Sequence, residues 1–142
     1  MDVALAAMGW LRRSNNGGRF IKRGKLGRRG EAIAVSFLKK QGYKIIERNY
    51  RSKLGEIDII AREKDNIVFV EVKTRRSDDF GLPQEAVSYR KQRRLTKIAL
   101  GYLAYHRLRG MNCRFDVVGI LLGRGGEVKN VELIKGAFEA TY

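Results

Sequence analysis

A single cysteine, a single histidine and a shortage of acids set the first limits on this 142-residue chain. Cys113 alone permits no internal disulfide and points to a reducing, cytoplasmic setting. His106 alone leaves no Ser/His/Asp triad to assemble. Its place three residues after Leu103 on an apolar stripe makes it a packed edge residue rather than a base. Long apolar runs are also missing. The stretch over residues 3–11 precedes its arginines instead of following a basic region and carries no cleavage site, so neither a signal peptide nor a transmembrane helix is expected. The GRGGE run (residues 123–127) lacks the lysine and hydroxyl residue of a phosphate loop and reads as a hairpin connection to VKNVELI (128–134). No repeat of solenoid length is present.

Against 15 acids stand 30 lysines and arginines, a formal charge of +15. The length suits one domain, and a hydrophobic content of 44% suffices for a core. Residues 1–29 carry eight of the basic residues and one acid, Asp2. With the core-poor SNNGG run (14–18), residues 1–26 read as a flexible basic arm before a domain over 27–142. Such a charge balance favours nucleic acid as partner over an acidic protein or a membrane surface.

Chemistry concentrates in GEIDII (55–60) and FVEVK (69–73), one short polar stretch apart, which together predict a β-hairpin. Side chains in a strand alternate faces, and neighbours on one face stand roughly 6–7 Å apart. Ile67, Phe69, Glu71 and Lys73 therefore share a face, and Val68, Val70 and Val72 line the other. Ile57 and Ile59 are expected in the core, with Glu56, Asp58 and Ile60 opposite. A turn centred on Lys64 and Asp65 sets Asp58 across from Glu71; one centred on Asp65 and Asn66 sets it across from Lys73. An odd-length loop would send Asp58 to the other side of the sheet. Two nearby carboxylates need a cation between them, and their hard oxygens suit Mg²⁺ or Mn²⁺. The competing reading is a solvated hairpin face with a cross-strand salt bridge. Against it stand the nearly continuous apolar runs IDIIA and IVFVEV, which mark strands covered on both faces, where unpartnered charge is expensive.

Asp58 followed by Glu71-Val72-Lys73 resembles the PD-(D/E)xK signature of restriction-endonuclease-like and Holliday-junction-resolvase-like nucleases, with Ile57 where the signature has proline. Residues 27–118 resemble more closely the YraN family of small bacterial proteins, regarded as predicted endonucleases. The resemblance rests on GRRGE (27–31), QGY (41–43), GEIDII, FVEVKTR (69–75), the Lys91 region and RFDVV (114–118), in that order. It implies an α/β restriction-endonuclease-like fold: an αβββαβ core whose mixed central sheet is flanked by helices. It implies a Mg²⁺- or Mn²⁺-dependent endonuclease acting on phosphodiester bonds of branched or otherwise structured DNA, with DNA favoured over RNA. The alternative is a nucleic-acid-binding module of the same fold without catalysis.

Under that reading Asp58, Glu71 and Glu31 hold metal, and Lys73 orients or activates water. Glu31 leads the stripe Ala34, Val35, Leu38 of a helix expected from about Gly30 to Gln41, and so aims inward. The alternative role is a first-turn acid favouring the helix dipole by about 0.3–1 kcal/mol. A second helix is expected from N-cap Ser88 to about Leu108, with Leu95, Ile98, Ala99, Tyr102 and Leu103 as its core stripe. Arg90, Lys91, Arg93 and Arg94 oppose the dipole in its first turns, so an anionic partner accounts for them better than helix stability does. Arg75, Arg90, Lys91, Gln92 and Arg94 are the candidate nucleic-acid contacts. Lys91, four residues before Leu95, extends the core stripe toward the site; otherwise its stem packs while its ammonium reaches water. Asp116, in CRFDVVGI (113–120), reads as structural. TRRSDDFGLP (74–83) is a candidate flap over substrate. A junction resolvase would need a homodimer to cut two strands symmetrically, with the sheet or the second helix as interface.

Overall fold

The computed structural model describes residues 25–77 and 87–140. Two helices and five strands follow one another as α1 (Lys25–Lys40), β1 (Lys44–Ser52), β2 (Gly55–Glu63), β3 (Asn66–Arg76), α2 (Tyr89–Tyr105), β4 (Asn112–Leu122) and β5 (Val128–Phe138). The architecture is mixed α/β, with the αβββαβ order and one additional strand.

The sheet has the order β1-β2-β3-β4-β5. The β1/β2, β2/β3 and β4/β5 pairs are antiparallel, and β3/β4 is parallel. A parallel neighbour cannot be reached by a tight turn, so the chain crosses from β3 to β4 through α2. Each helix covers one face. On the α1 side, Ala34, Val35 and Leu38 pack on Ile59, Ala61, Val68, Val70, Val118 and Ile120. On the α2 side, Leu95, Ile98, Ala99, Tyr102 and Leu103 pack on Ile60, Ile67, Phe69, Phe115 and Val117. The sheet is thus covered on both faces, which is why β2 and β3 read as nearly unbroken apolar runs.

The β2–β3 pairing runs from Ile59↔Val70 to Glu63↔Asn66. A two-residue turn at Lys64 and Asp65 therefore closes the hairpin, with Lys64 at φ 54°. The loop is even, and the register is the one that sets Asp58 across from Glu71. One expectation fails locally. Ile57 lies in the α2-side core and Ile59 in the α1-side core, so they do not share a face. Alternation breaks at Asp58, and the cause is visible on the flanking strands. Asn49, between the pairs Arg48↔Ile59 and Tyr50↔Ile57, takes φ 55°. On the other side the β2–β3 pairing stops at Ile59, and the next inward amide of β3, Val72 N–H, donates to the Asp58 carboxylate at 2.8 Å.

Helix α1 starts at Lys25, about five residues before the expected Gly30. Glu31 therefore lies in its second turn, and the first turn contains no acid, so a first-turn dipole role does not apply. Residues 25 and 26 of the expected arm are helical; the remainder of the arm lies outside the described residues. Helix α2 has the expected N-cap, Ser88 accepting from Lys91 N–H at 3.1 Å, but ends at Tyr105, three residues before Leu108. Of the candidate flap, Thr74 to Arg76 complete β3. Ser77 donates its amide to Leu122, and the residues after it, 78–83, lie outside the described residues. The 123–127 turn closes β4 onto β5 through Gly123 N–H to Glu127 C=O at 2.8 Å.

Candidate active site

Strand β3 supplies two charges to the α2 side of the sheet, Glu71 and Lys73, both nearly inaccessible at 8% and 4% exposure. Beneath Glu71 the floor is apolar, lined by Ile57, Phe69, Leu95, Phe115 and Phe138. A carboxylate there is stable only with cations beside it. Two lysines meet that need. Lys73 Nζ lies 3.9 Å from Glu71 Oε2, and Lys91, reaching in from the first turn of α2, forms a close ion pair with the same oxygen. Lys91 sits four residues before Leu95, and this spacing brings its stem down the core-facing stripe.

Asp58 approaches the same carboxylate from β2. It is half-buried, in contrast to Glu71, and so keeps a path to solvent. Burial pushes its carboxyl well above the ordinary aspartate range, and the negative charge of Glu71 adds to that shift; Val72 N–H acts in the opposite direction. For Glu71, burial also opposes ionisation, but the ammonium groups of Lys91 and Lys73 outweigh it and hold the carboxyl below its ordinary value. A hydrogen bond from Asp58 contributes to the same result. Burial alone would lower the Lys91 pKa, yet Glu71 overcomes it and the net shift is upward. The two carboxyls are thus shifted in opposite directions, Asp58 upward by burial and the charge of Glu71, and Glu71 downward by the two ammonium groups beside it.

Glu31 enters from α1, buried at 6% exposure, and its charge raises the Asp58 carboxyl further. Its approach depends on the residue before it. A Cβ at Gly30 would overlap the Thr74 hydroxyl of β3 and come within 3.0 Å of Thr74 Cβ. Glycine lets the helix backbone lie directly on the strand that carries Glu71 and Lys73. Sequence reasoning overlooked this contact, although a glycine immediately before an inward-facing acid was a usable signal. Among the described residues, no three His, Cys, Asp or Glu side chains stand together closely enough to hold a metal ion.

The remaining sequence candidates divide clearly. Arg75 follows Lys73 by two residues on β3 and is half-buried, whereas Arg90 and Arg94 are exposed on α2. Gln92 is not brought to the carboxylates. Its Nε2 donates to Val87 C=O at 2.9 Å and its own carbonyl accepts from Thr96 Oγ1, so it braces the entry to α2. His106 packs against Tyr102, ring centroids 4.2 Å apart and planes tilted by 40°, and stays exposed at the helix end. Asp116 belongs to a separate cluster: it accepts from Tyr43 Oη at 2.7 Å, Arg114 Nε at 2.8 Å and Gly136 N–H at 3.0 Å. Arg114 and Lys135 in turn bind the two oxygens of Glu63. These contacts tie the α1–β1 connection, β2, β4 and β5 together, a structural role.

A family model described as "Uncharacterised protein family UPF0102" matches residues 30–120, a span that contains Glu31, Asp58, Glu71, Lys73 and Lys91. A UPF0102 protein of Syntrophus aciditrophicus (strain SB) is 54% identical over 118 residues, covering 83% of this chain and 91% of the relative. One of Moorella thermoacetica is 53% identical over 118 residues, covering 83% and 98%. One of Caldicellulosiruptor saccharolyticus is 51% identical over 114 residues, covering 80% and 97%.

Proposed function

The chain belongs to the uncharacterised protein family UPF0102, the YraN family, whose name carries no activity, and from its site we propose that it is a divalent-metal-dependent endonuclease acting on phosphodiester bonds. The observation that carries the reading is the Asp58–Glu71 pair: two carboxyl groups brought together over an apolar floor, one pushed above its ordinary value and the other held below it, flanked by Lys73 and Lys91. Such an arrangement is costly for stability and is the usual mark of a site poised for charge that arrives from outside.

The donor set suits Mg²⁺ or Mn²⁺, with hard carboxylate oxygens and no thiolate or imidazole nearby. Asp58 and Glu71 would hold the ion, and Glu31 would complete the set or hold a water bound to it. When bound, the ion would polarise the phosphate and lower the pKa of a bound water. Lys73 stays buried beside the scissile position and stabilises the charge that develops on the phosphate oxygens. Lys91 neutralises Glu71 in the free protein, and its ammonium would be available to a substrate phosphate if an ion were held at Glu71. The exposed Arg90 and Arg94, with Arg75 on β3, hold the flanking backbone of the nucleic acid, DNA in preference to RNA.

Lys73→Ala should lower the cleavage rate about 100- to 1,000-fold, the effect typical of losing one donor aimed at developing charge. Cleavage by this variant at the wild-type rate would contradict the assignment. A second reading has its own support: with Lys91 already against Glu71 and no three-ligand cluster among the described residues, the fold could bind nucleic acid without cutting it. That module would bind in a salt-sensitive way, indifferent to Mg²⁺ and to substitution of Asp58.

A further inference from the structure

Tyr89 opens α2 and is left outside the core, 63% exposed, while Leu95, Ile98 and Tyr102 of the same helix are buried. Single exposed apolar side chains are ordinary, but the surroundings of this one are not. Arg93, one helical turn further on, sets its guanidinium 6.0 Å over the centre of the Tyr89 ring. Arg90 and Arg94, both exposed, flank the pair. Two residues past Tyr89, Lys91 reaches the Glu71 carboxylate. The ring therefore stands on the outward side of the first turn of α2, partly held by Arg93 and among exposed arginines. No described residue hydrogen-bonds its hydroxyl, so its polar end does not explain its position.

An aromatic face set among cations fits an unpaired nucleobase. In a duplex each base is already stacked on its neighbours and presents only its edges, so a flat ring outside the helix gains little from it. An unpaired base offers its whole face, and stacking on an aromatic ring is worth about 1–3 kcal/mol whatever the base. A guanidinium beside the ring adds cation–π attraction and pairs with the next phosphate.

We propose that Tyr89 and Arg93 form a stacking step for an unpaired base, so that the nucleic acid this protein takes has a single-stranded segment against the first turn of α2. The inference goes beyond the nuclease reading in naming the substrate class: strands with an unpaired segment, as against continuous duplex.

The test is equilibrium binding of the full-length protein to 2-aminopurine-labelled DNA, single-stranded and blunt duplex of equal length, in Ca²⁺ to hold cleavage in check. Tyr89→Ala should weaken single-strand binding about 5- to 150-fold, the stacking range converted to affinity, and abolish the fluorescence quenching of the labelled base. Tyr89→Phe, which keeps the ring, should restore both, and duplex binding should not change. Equal losses on single strand and duplex, or unaltered single-strand binding by Tyr89→Ala, would overturn the proposal. Cleavage assayed separately in Mg²⁺ keeps the two readings apart. If the wild type quenches the label but never cuts, the stacking step stands and the nuclease reading falls. If cutting depends on Asp58 while Tyr89→Ala binds single strands normally, the stacking step alone falls.

Discussion

The chemistry turns on one proton. Burial and the charge of Glu71 both raise the Asp58 carboxyl, while the ammonium groups of Lys91 and Lys73 lower that of Glu71. On the proposed reading a metal ion would be held by both carboxylates, and binding would then release whatever proton Asp58 carries. Affinity for Mn²⁺ or Mg²⁺ should therefore rise with pH above the ordinary aspartate range, with about one proton released per ion bound. Isothermal titration in two buffers of different ionisation enthalpy would measure it; pH-independent affinity would contradict the raised Asp58 carboxyl. The same shift has a consequence for stability. A carboxyl whose folded value lies above its unfolded value binds more protons in the folded state within that window. Stability accordingly falls as pH rises from the ordinary value of about 4 through the folded value. Asp58→Asn keeps an acceptor for Val72 N–H and removes the ionisation. It should melt higher than the wild type at neutral pH, and the advantage should vanish below about pH 4. Equal melting temperatures at every pH would refute this.

At the scale of elements, the site exists because α1 can lie directly on β3. Gly30→Ala should cost about 1–3 kcal/mol by overpacking against Thr74 and should displace Glu31, with partial recovery on adding Thr74→Ala. Chemical denaturation of the two single variants and the double variant measures the coupling. This contact also shows where sequence reading stopped. KLGRRGE, with two glycines in seven residues, has poor helix propensity, so the first helix was expected five residues late; the close approach at Gly30 is tertiary, and it overrides local preference. The hairpin was legible only to within two registers, since period-two alternation and an even turn allow either Glu71 or Lys73 opposite Asp58; the turn at Lys64 and Asp65 is the one found. Lys91 was legible because a four-residue offset from Leu95 fixes its direction on a helix. The change of face at Asp58 was not, because it arises from Asn49 on a neighbouring strand and from a side chain standing in for a ladder carbonyl. Nor was the Tyr43–Asp116 bond, whose partners are 73 residues apart. Gln92 was assigned to nucleic acid on analogy, and the bond from its Nε2 to Val87 C=O was not legible in the sequence.

At the scale of the molecule, two charged clusters have different tasks. Glu63, Arg114, Asp116 and Lys135 are mutually paired, and Lys135 and Arg114 hold Glu63 below its ordinary value, so this group joins strands without needing a ligand. The Asp58–Glu71 group lies where α1 packs on β3 through Gly30 and where Lys91 of α2 reaches Glu71, and the same helix carries exposed arginines. No helix among the described residues is long and apolar enough to cross a membrane. With a formal charge of +15, association with nucleic acid should weaken steeply with salt. Arg90→Ala and Arg94→Ala should each reduce the slope of log K against log salt by about one unit, with no change in base preference. Fluorescence anisotropy across a salt series would show it, and an unaltered slope in both variants would place the contact elsewhere.

The central claim is best tested by titrating Mg²⁺ and Mn²⁺ into wild-type and Asp58→Asn protein with labelled four-way junction, flap, duplex and single-stranded DNA and RNA, scoring binding and cleavage in the same samples. The account predicts metal-dependent cutting by the wild type, confined to strands with an unpaired segment, and none by a variant that still binds. Binding without cutting by either protein, indifferent to metal, would contradict it.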